Sequence, residues 1–243
     1  MTTASFHFHG RLAGLLPREL RHATFARRCA RAATLKNAIE AMGVPHTEAA
    51  RVLVNGADAT LARIVRDADE IEVFPWDDAA RAQTAPECGF IADAHLGGLA
   101  RFLRMLGYDT RYDNGMDDAE IRRLAREEQR VVLSRDRELL KCRDILRGGY
   151  VYALRPEDQL AEVAARFDLA AHARPFTLCL YCNVLLAPVA KAAVLDRLPP
   201  QVAEIQNEFT RCGACDRVYW PGSHYERMQG VLARVLRATN ERK

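Results

Sequence analysis

Two C-x-x-C pairs constrain this chain more tightly than anything else in it. FTLCLYCNVLL sets Cys179 and Cys182 three positions apart, FTRCGACDRVYW does the same for Cys212 and Cys215, and 29 residues lie between the pairs. Each pair reads as a strand–turn knuckle that aims two sulfurs at one point, so two knuckles complete a tetrahedral site of the kind zinc takes. Gly213 eases the second turn. Four thiolates leave no open coordination position, which makes this zinc structural and not catalytic. Two redox dithiols are the alternative, but a thioredoxin-like pair stands at the start of a helix and neither pair does. Cys29, Cys88 and Cys142 stand alone, and an odd total of seven cysteines argues against a fully paired disulfide framework. A chain that spends its cysteines on metal belongs in a reducing compartment, so the cytoplasm is expected. MTTASFHFHGRLAG lacks the basic-then-apolar order of a secretory signal, and no run of about eighteen apolar residues exists to span a membrane.

At 243 residues and 49% hydrophobic content, the chain can bury a substantial core and build two small domains or one domain with an appendage. Three segments separate on pattern. In the first, SFHFHGRL alternates like a strand, with Phe6 and Phe8 on one face and His7 and His9 facing solvent on the other. ATLKNAIEAMGVP predicts a short helix capped by Thr34, with Leu35, Ala38, Ile39 and Met42 as its apolar stripe and Gly43 as its stop. ARVLVNG enters a turn at Asn55-Gly56, and DADEIEVFP closes with a strand that points Ile71 and Val73 inward. The order strand, helix, strand, turn, strand suggests a small β-grasp unit. On VLVNG and DADEIEVFP the segment resembles ubiquitin-like domains of the sulfur-carrier type. Such carriers end in a free Gly-Gly, whereas this chain runs on through WDDAARAQTAPE, so a binding or scaffolding role toward an unknown protein partner is what the resemblance leaves. Residues 77–87 read as a linker.

From Cys88 onward, strands alternate with helices, which implies a parallel α/β sheet. CGFIAD is a strand ending at Asp93. HLGGLARFLRMLG is a helix with Leu96, Leu99, Leu103 and Leu106 on one face. YDTRY, RVVLSRD and YVYALRP are further strands, and MDDAEIRRLAREEQ, RELLKCRDILRGG and PEDQLAEVAARFD are the helices that follow them. Functional groups gather beyond the carboxyl ends of parallel strands. Asp93 and Asp136 stand there on separate strands, and Asp118 and Glu120 open the helix between them. Carboxylates converging on one rim repel each other unless a divalent cation sits among them, and hard oxygen ligands suit magnesium or manganese. Helix capping is the alternative for each acid: Asp117-x-x-Glu120 fits a capping box, and Asp93 and Asp136 each precede a helix.

FIADAHLGGLARFLRMLGYDT, DDAEI and RVVLSRDREL, in that order and spacing, resemble the PIN-like RNase family named for the C-terminal region of the mutator-seven exonuclease. The resemblance runs over about residues 88–235 and includes the zinc ribbon and the VYWPGSHYERM behind it. It implies RNA cleavage with a divalent metal and matches the family's catalytic acids to Asp93, Asp118 and Asp136. Glu120 and Asp117 are expected as further ligands, with Asp113 behind them. A separate fourth acid, common in PIN domains, has no evident counterpart.

Charge fits such an activity: Lys+Arg against Asp+Glu is 14 to 16 over residues 86–171 and 10 to 6 over 172–243, a carboxylate-rich middle beside a basic tail. Arg135, next to Asp136, is expected to hold a phosphate, whereas Arg101 and Arg104 fall on the polar side of their helix and read as solvated. Tyr181, Tyr219, Trp220 and Tyr225 either stack on bases or pack the ribbon. No H-E-x-x-H motif supports a zinc hydrolase, and Gly97-Gly98 does not fit the dinucleotide fingerprint G-x-G-x-x-G. The expected architecture is therefore α/β, with a β-grasp domain at 1–78, a PIN-like parallel sheet flanked by helices at 88–172, and a zinc ribbon with a C-terminal helix at 173–243. The expected function is metal-dependent RNA hydrolysis, with an idle RNA-binding or protein-recruiting adaptor as the alternative.

Overall fold

Alternation in the first residues produces β1 (Thr2–Phe8), which buries Ala4, Phe6 and Phe8 and turns His7 outward. The computed structural model describes residues 1–76 and 86–240, so the expected linker lies outside it except for Pro86 and Glu87. The strand starts earlier than its alternation suggested and gives way to a 3-10 turn at Gly10–Leu15. His9 faces out as expected and is satisfied there, bonding Glu72 at 3.0 Å and stacking on Phe74. β2 (Phe25–Cys29) pairs antiparallel with β1 and was not legible in the sequence, because three successive exposed residues on an edge strand leave no alternation to read.

α1 (Leu35–Glu40) is capped by Thr34, whose hydroxyl accepts from the Asn37 amide at 3.2 Å, and Gly43 ends it at φ +92°. The expected stripe of Leu35, Ala38, Ile39 and Met42 is buried throughout. β3 (Arg51–Val54) and β4 (Ala57–Asp58) form a hairpin through Asn55 and Gly56, both in the left-handed region that a two-residue turn of this twist demands. β5 (Glu70–Phe74) lies parallel to β1 at the centre of a sheet ordered β2-β1-β5-β3-β4, the β-grasp arrangement.

Buried Asp69 ties this domain's loops together. It accepts two hydrogen bonds from Arg63 (2.7 and 3.1 Å), one from Asn55 and one from the Arg66 amide. The Arg63 bonds, ahead of the others, hold its carboxyl at about 2 against its burial. A depressed carboxylate favours the folded state above its ordinary value and loses that contribution as pH falls through the lowered one. The expected result is a loss of about 2 kcal/mol from this domain as pH drops from 3.8 to about 2, read by thermal unfolding, with Asp69→Asn removing that contribution.

The second sheet is wholly parallel. Its elements are β6 (Phe90–Ala92), α2 (Gly97–Met105), β7 (Thr110–Arg111), α3 (Asp118–Glu127), β8 (Val131–Ser134), α4 (Arg137–Lys141), β9 (Gly148–Tyr150) and α5 (Pro156–Arg166), and the strand order is β7-β6-β8-β9. Leu96, Leu99, Leu103 and Leu106 are fully buried on one face with Phe90 and Phe167, while Ile91 and Val132 meet Ile121 and Leu140 on the other. The helix expected over 137–149 stops at Lys141, and the last strand begins at Gly148, earlier than YVYALRP suggested. Close approach explains this: a Cβ on Gly148 would stand 2.9 Å from Leu140 and 3.2 Å from Thr47 of the β-grasp domain. Beyond this sheet come β10 (Leu186–Pro188), α6 (Pro200–Ile205), β11 (Thr210–Cys212) and β12 (Val218–Tyr219), the strands forming a small antiparallel sheet. α7 (Ser223–Asn240) then returns to place Leu232 and Val235 in the core of the parallel sheet.

An open edge of a parallel sheet exposes unpaired backbone groups, and both edges here are covered. At the β9 edge, Glu48 of the β-grasp domain accepts from the Tyr150 amide (2.8 Å), and Arg166 bonds Glu48, the Thr47 carbonyl and the Gly148 carbonyl. At the β7 edge, the first cysteine knuckle takes over. Asn183 accepts from the Thr110 amide at 3.0 Å, and Arg104 donates to the carbonyls of Thr110, Leu180 and Tyr181. Arg104, expected in solvent, is 4% exposed, since a guanidinium with five donors can satisfy several carbonyls at once inside a protein.

Candidate active site and metal centre

β6 and β8 end side by side, which delivers Asp93 and Asp136 to the same rim of the sheet. Ser134 joins them. Its buried hydroxyl donates to Asp93 Oδ2 at 2.6 Å and accepts from the Asp136 amide at 2.8 Å. Both aspartates also cap: Asp93 Oδ1 accepts from the Ala94 amide and Asp136 Oδ1 from the Glu138 amide. Capping does not exhaust a carboxylate, which carries about four lone-pair sites. The turn after Asp93 is fixed by Tyr112, whose hydroxyl donates to the Ala94 carbonyl. That ring lies so close that a Cβ on Gly97 would come within 2.4 Å of its oxygen. Sequence reasoning gave Ser134 no role, although the S-R-D run that named Asp136 contains it.

Asp118 opens α3 at this rim, while the capping of that helix falls to Asp117, which accepts from the Glu120 amide. Desolvation, and after it the charges of Asp136, Asp93 and Asp117, raise Asp118 above the usual carboxylate range. Asp118 therefore feels the charges of the other two across the rim. Glu120 is not brought to them: its carboxylate is held by Arg123 through bonds of 2.9 and 2.7 Å. Asp113 accepts from the Gly115 amide in its own turn. Arg135 spends Nη1 on the carbonyls of Val151, Tyr152 and Ala153, at 3.0, 2.9 and 2.7 Å, which gives it a structural use beside the rim.

The two knuckles have one construction. Cys179 and Cys212 donate their amides to the carbonyls of Val184 and Arg217, and accept from the amides of Asn183 and Asp216. Asn183 and Asp216, at φ 61° and 60°, take the left-handed conformation that Asn and Asp tolerate best among non-glycines. Amides of Cys182 and Ala214 point at the sulfurs of Cys179 and Cys212. The result brings all four sulfurs within 4.8 Å of one another, a donor set able to hold one metal ion such as zinc. Among the described residues no other group of ligand atoms is so tight, so the aspartate rim is more open than the sulfur site. Tyr219 bonds Cys179 Sγ at 3.2 Å, Trp220 lies against Phe209, and Tyr225 stacks on Phe176, so these rings pack. Tyr181 instead is 52% exposed, with the guanidiniums of Arg217 and Arg101 at 3.8 and 5.3 Å from its ring.

Residues 88–232 match the family model of the Mut7-C RNAse domain, which spans both the aspartate rim and the knuckles. The chain belongs to the Mut7-C RNase family. Its first 81 residues match the Mut7-C ubiquitin domain, so the chain carries both domains that its sequence resembled. No curated protein and no solved structure gives a significant match. Among the described residues, no helix is long and apolar enough to cross a membrane.

Proposed function

We propose that this protein hydrolyses RNA phosphodiester bonds with magnesium or manganese held by Asp93, Asp118 and Asp136, while zinc on the four cysteines is structural. The observation that carries the reading is the bonding of Ser134 to both Asp93 and the Asp136 amide where β6 and β8 end side by side, with Asp118 raised by burial and by the charges of both aspartates. An open rim suits magnesium, which keeps several waters and takes only one or two carboxylates. When bound, such a cation lowers the pKa of a coordinated water and neutralises charge developing on a phosphate. Ser134 holds Asp93 and the Asp136 backbone in register, and the capping bonds leave lone pairs on both carboxylates for an ion. Glu120 joins only by leaving Arg123, and Arg135 meets a phosphate with what remains of its guanidinium edge. The cytoplasm remains the expected location, and the β-grasp domain the expected site for a protein partner.

Exposed Tyr181 between two arginines also supports RNA binding without cleavage, the reading of an idle adaptor. The deciding assay is cleavage of labelled single-stranded and hairpin RNA by the full chain with Mg²⁺ or Mn²⁺. Cleavage that EDTA stops is the expected result. Binding without any cleavage would move the assignment to the adaptor.

A further inference from the structure

Asp136 stands in the short turn between β8 and α4. α4 is only five residues long and too short to order its own first turn. The turn is instead bracketed by two arginines, one tied directly and the other through intermediaries to one element of the other domain. On one side, Arg137 Nη1 donates to the Leu15 carbonyl at 2.8 Å. On the other, Arg135 Nη1 gathers the carbonyls of Val151, Tyr152 and Ala153. The amides of Tyr152 and Ala153 donate to Glu162, and Glu162 in turn accepts from Arg11 at 3.0 Å. The Arg11 guanidinium also lies 5.1 Å from the Tyr152 ring centroid. Arg11 and Leu15 belong to the same 3-10 turn, Gly10–Leu15. Gly43 comes so near this junction that its Cβ would stand 3.5 Å from both Arg137 Nη1 and the Leu15 oxygen.

We propose that the Gly10–Leu15 turn of the β-grasp domain is a positioning element for Asp136, acting directly through Arg137 and indirectly through Arg11, Glu162 and Arg135. The N-terminal domain is thus part of the catalytic unit and not a detachable docking module. The positioning rests on geometry, and its effect on rate rests on the ribonuclease reading above. A misplacement of about 1 Å at a catalytic group costs up to roughly a hundredfold in rate.

The test uses the full chain with Arg11→Met and Arg137→Ala combined, since the Leu15 acceptor is main chain and no substitution removes it. Hydrogen exchange is followed at the Asp136 and Glu138 amides, alongside kcat and KM for RNA. The double variant should exchange at least about tenfold faster there and lose roughly ten- to hundredfold in kcat with little change in KM. Arg137→Lys, which still reaches a carbonyl, should recover part of both. Asp69→Asn weakens the same domain away from the junction, so it should lower the melting temperature and leave both readouts alone. Unchanged exchange in the double variant, or equal losses in Asp69→Asn, overturns the positioning role. If wild type cleaves no RNA, the ribonuclease reading falls while the exchange measurement still decides the positioning.

Discussion

Replacing Asp93, Asp118 or Asp136 singly by Asn is expected to remove at least about a thousandfold of the RNA-cleaving rate. A metal-held site is asked for several kcal/mol of transition-state stabilisation, and each Asn deletes one of the charges that hold the ion. Residues acting as a unit are not additive, so the triple variant should be little worse than any single one. Stability separates this outcome from a capping role. Asn is itself a good N-cap, so Asp136→Asn should keep the bond from the Glu138 amide and the fold with it. Asp93→Asn sets a donor against the Ser134 hydroxyl and should cost about 1 kcal/mol. Asp118→Asn should raise stability only slightly in EDTA-treated protein, because its side chain is exposed. Its carboxyl is raised in the folded state, so metal-free stability falls as pH climbs through that raised value, and Asn removes the penalty. Thermal unfolding with and without Mn²⁺, beside the cleavage assay, reads all three. Persistent cleavage by Asp93→Asn would sink the catalytic assignment.

Loss of zinc is expected to be nearly as severe, and to travel. Protein purified without added metal should contain one zinc per chain by elemental analysis, and Cys179→Ser with Cys212→Ser should contain none. Metal affinity is folding free energy for a small ribbon, on the order of 10 kcal/mol in zinc-finger peptides, so chelation should unfold mainly residues 175–222. The damage should reach the parallel sheet, because Asn183 covers the Thr110 amide and the Leu180 and Tyr181 carbonyls hold Arg104 against the Thr110 carbonyl. Amide exchange at Thr110 should therefore accelerate with the knuckles, and Arg104 should lose two of its carbonyl partners. Zinc content below about half an equivalent in folded wild type, or a Thr110 amide indifferent to chelation, would contradict this.

Much of the architecture needed only short stretches of chain. Thr34 as a cap, Asn55-Gly56 as a turn, the leucine stripe of α2 and the spacing of the cysteines are set by neighbours within a few residues. Periodicity and turn chemistry report these directly. The aspartates just past the strand ends were legible for the same reason, since where a parallel strand stops is read from the strand itself. Among the features that were not are the burial of Arg104, the bridging by Ser134, the early start of β9 at Gly148, and the anchoring of the Asp136 turn on Gly10–Leu15. Each depends on contacts across the chain, such as Arg104 to Leu180 over 76 residues and Arg137 to Leu15 over 122. An arginine on a helix's polar side looks identical in sequence whether water or a distant carbonyl meets it. The sequence by itself determined which groups this protein owns and the local geometry of each. Only the tertiary structure decided which of them meet, because the partners that cover both sheet edges are brought there by folding and leave no periodic trace.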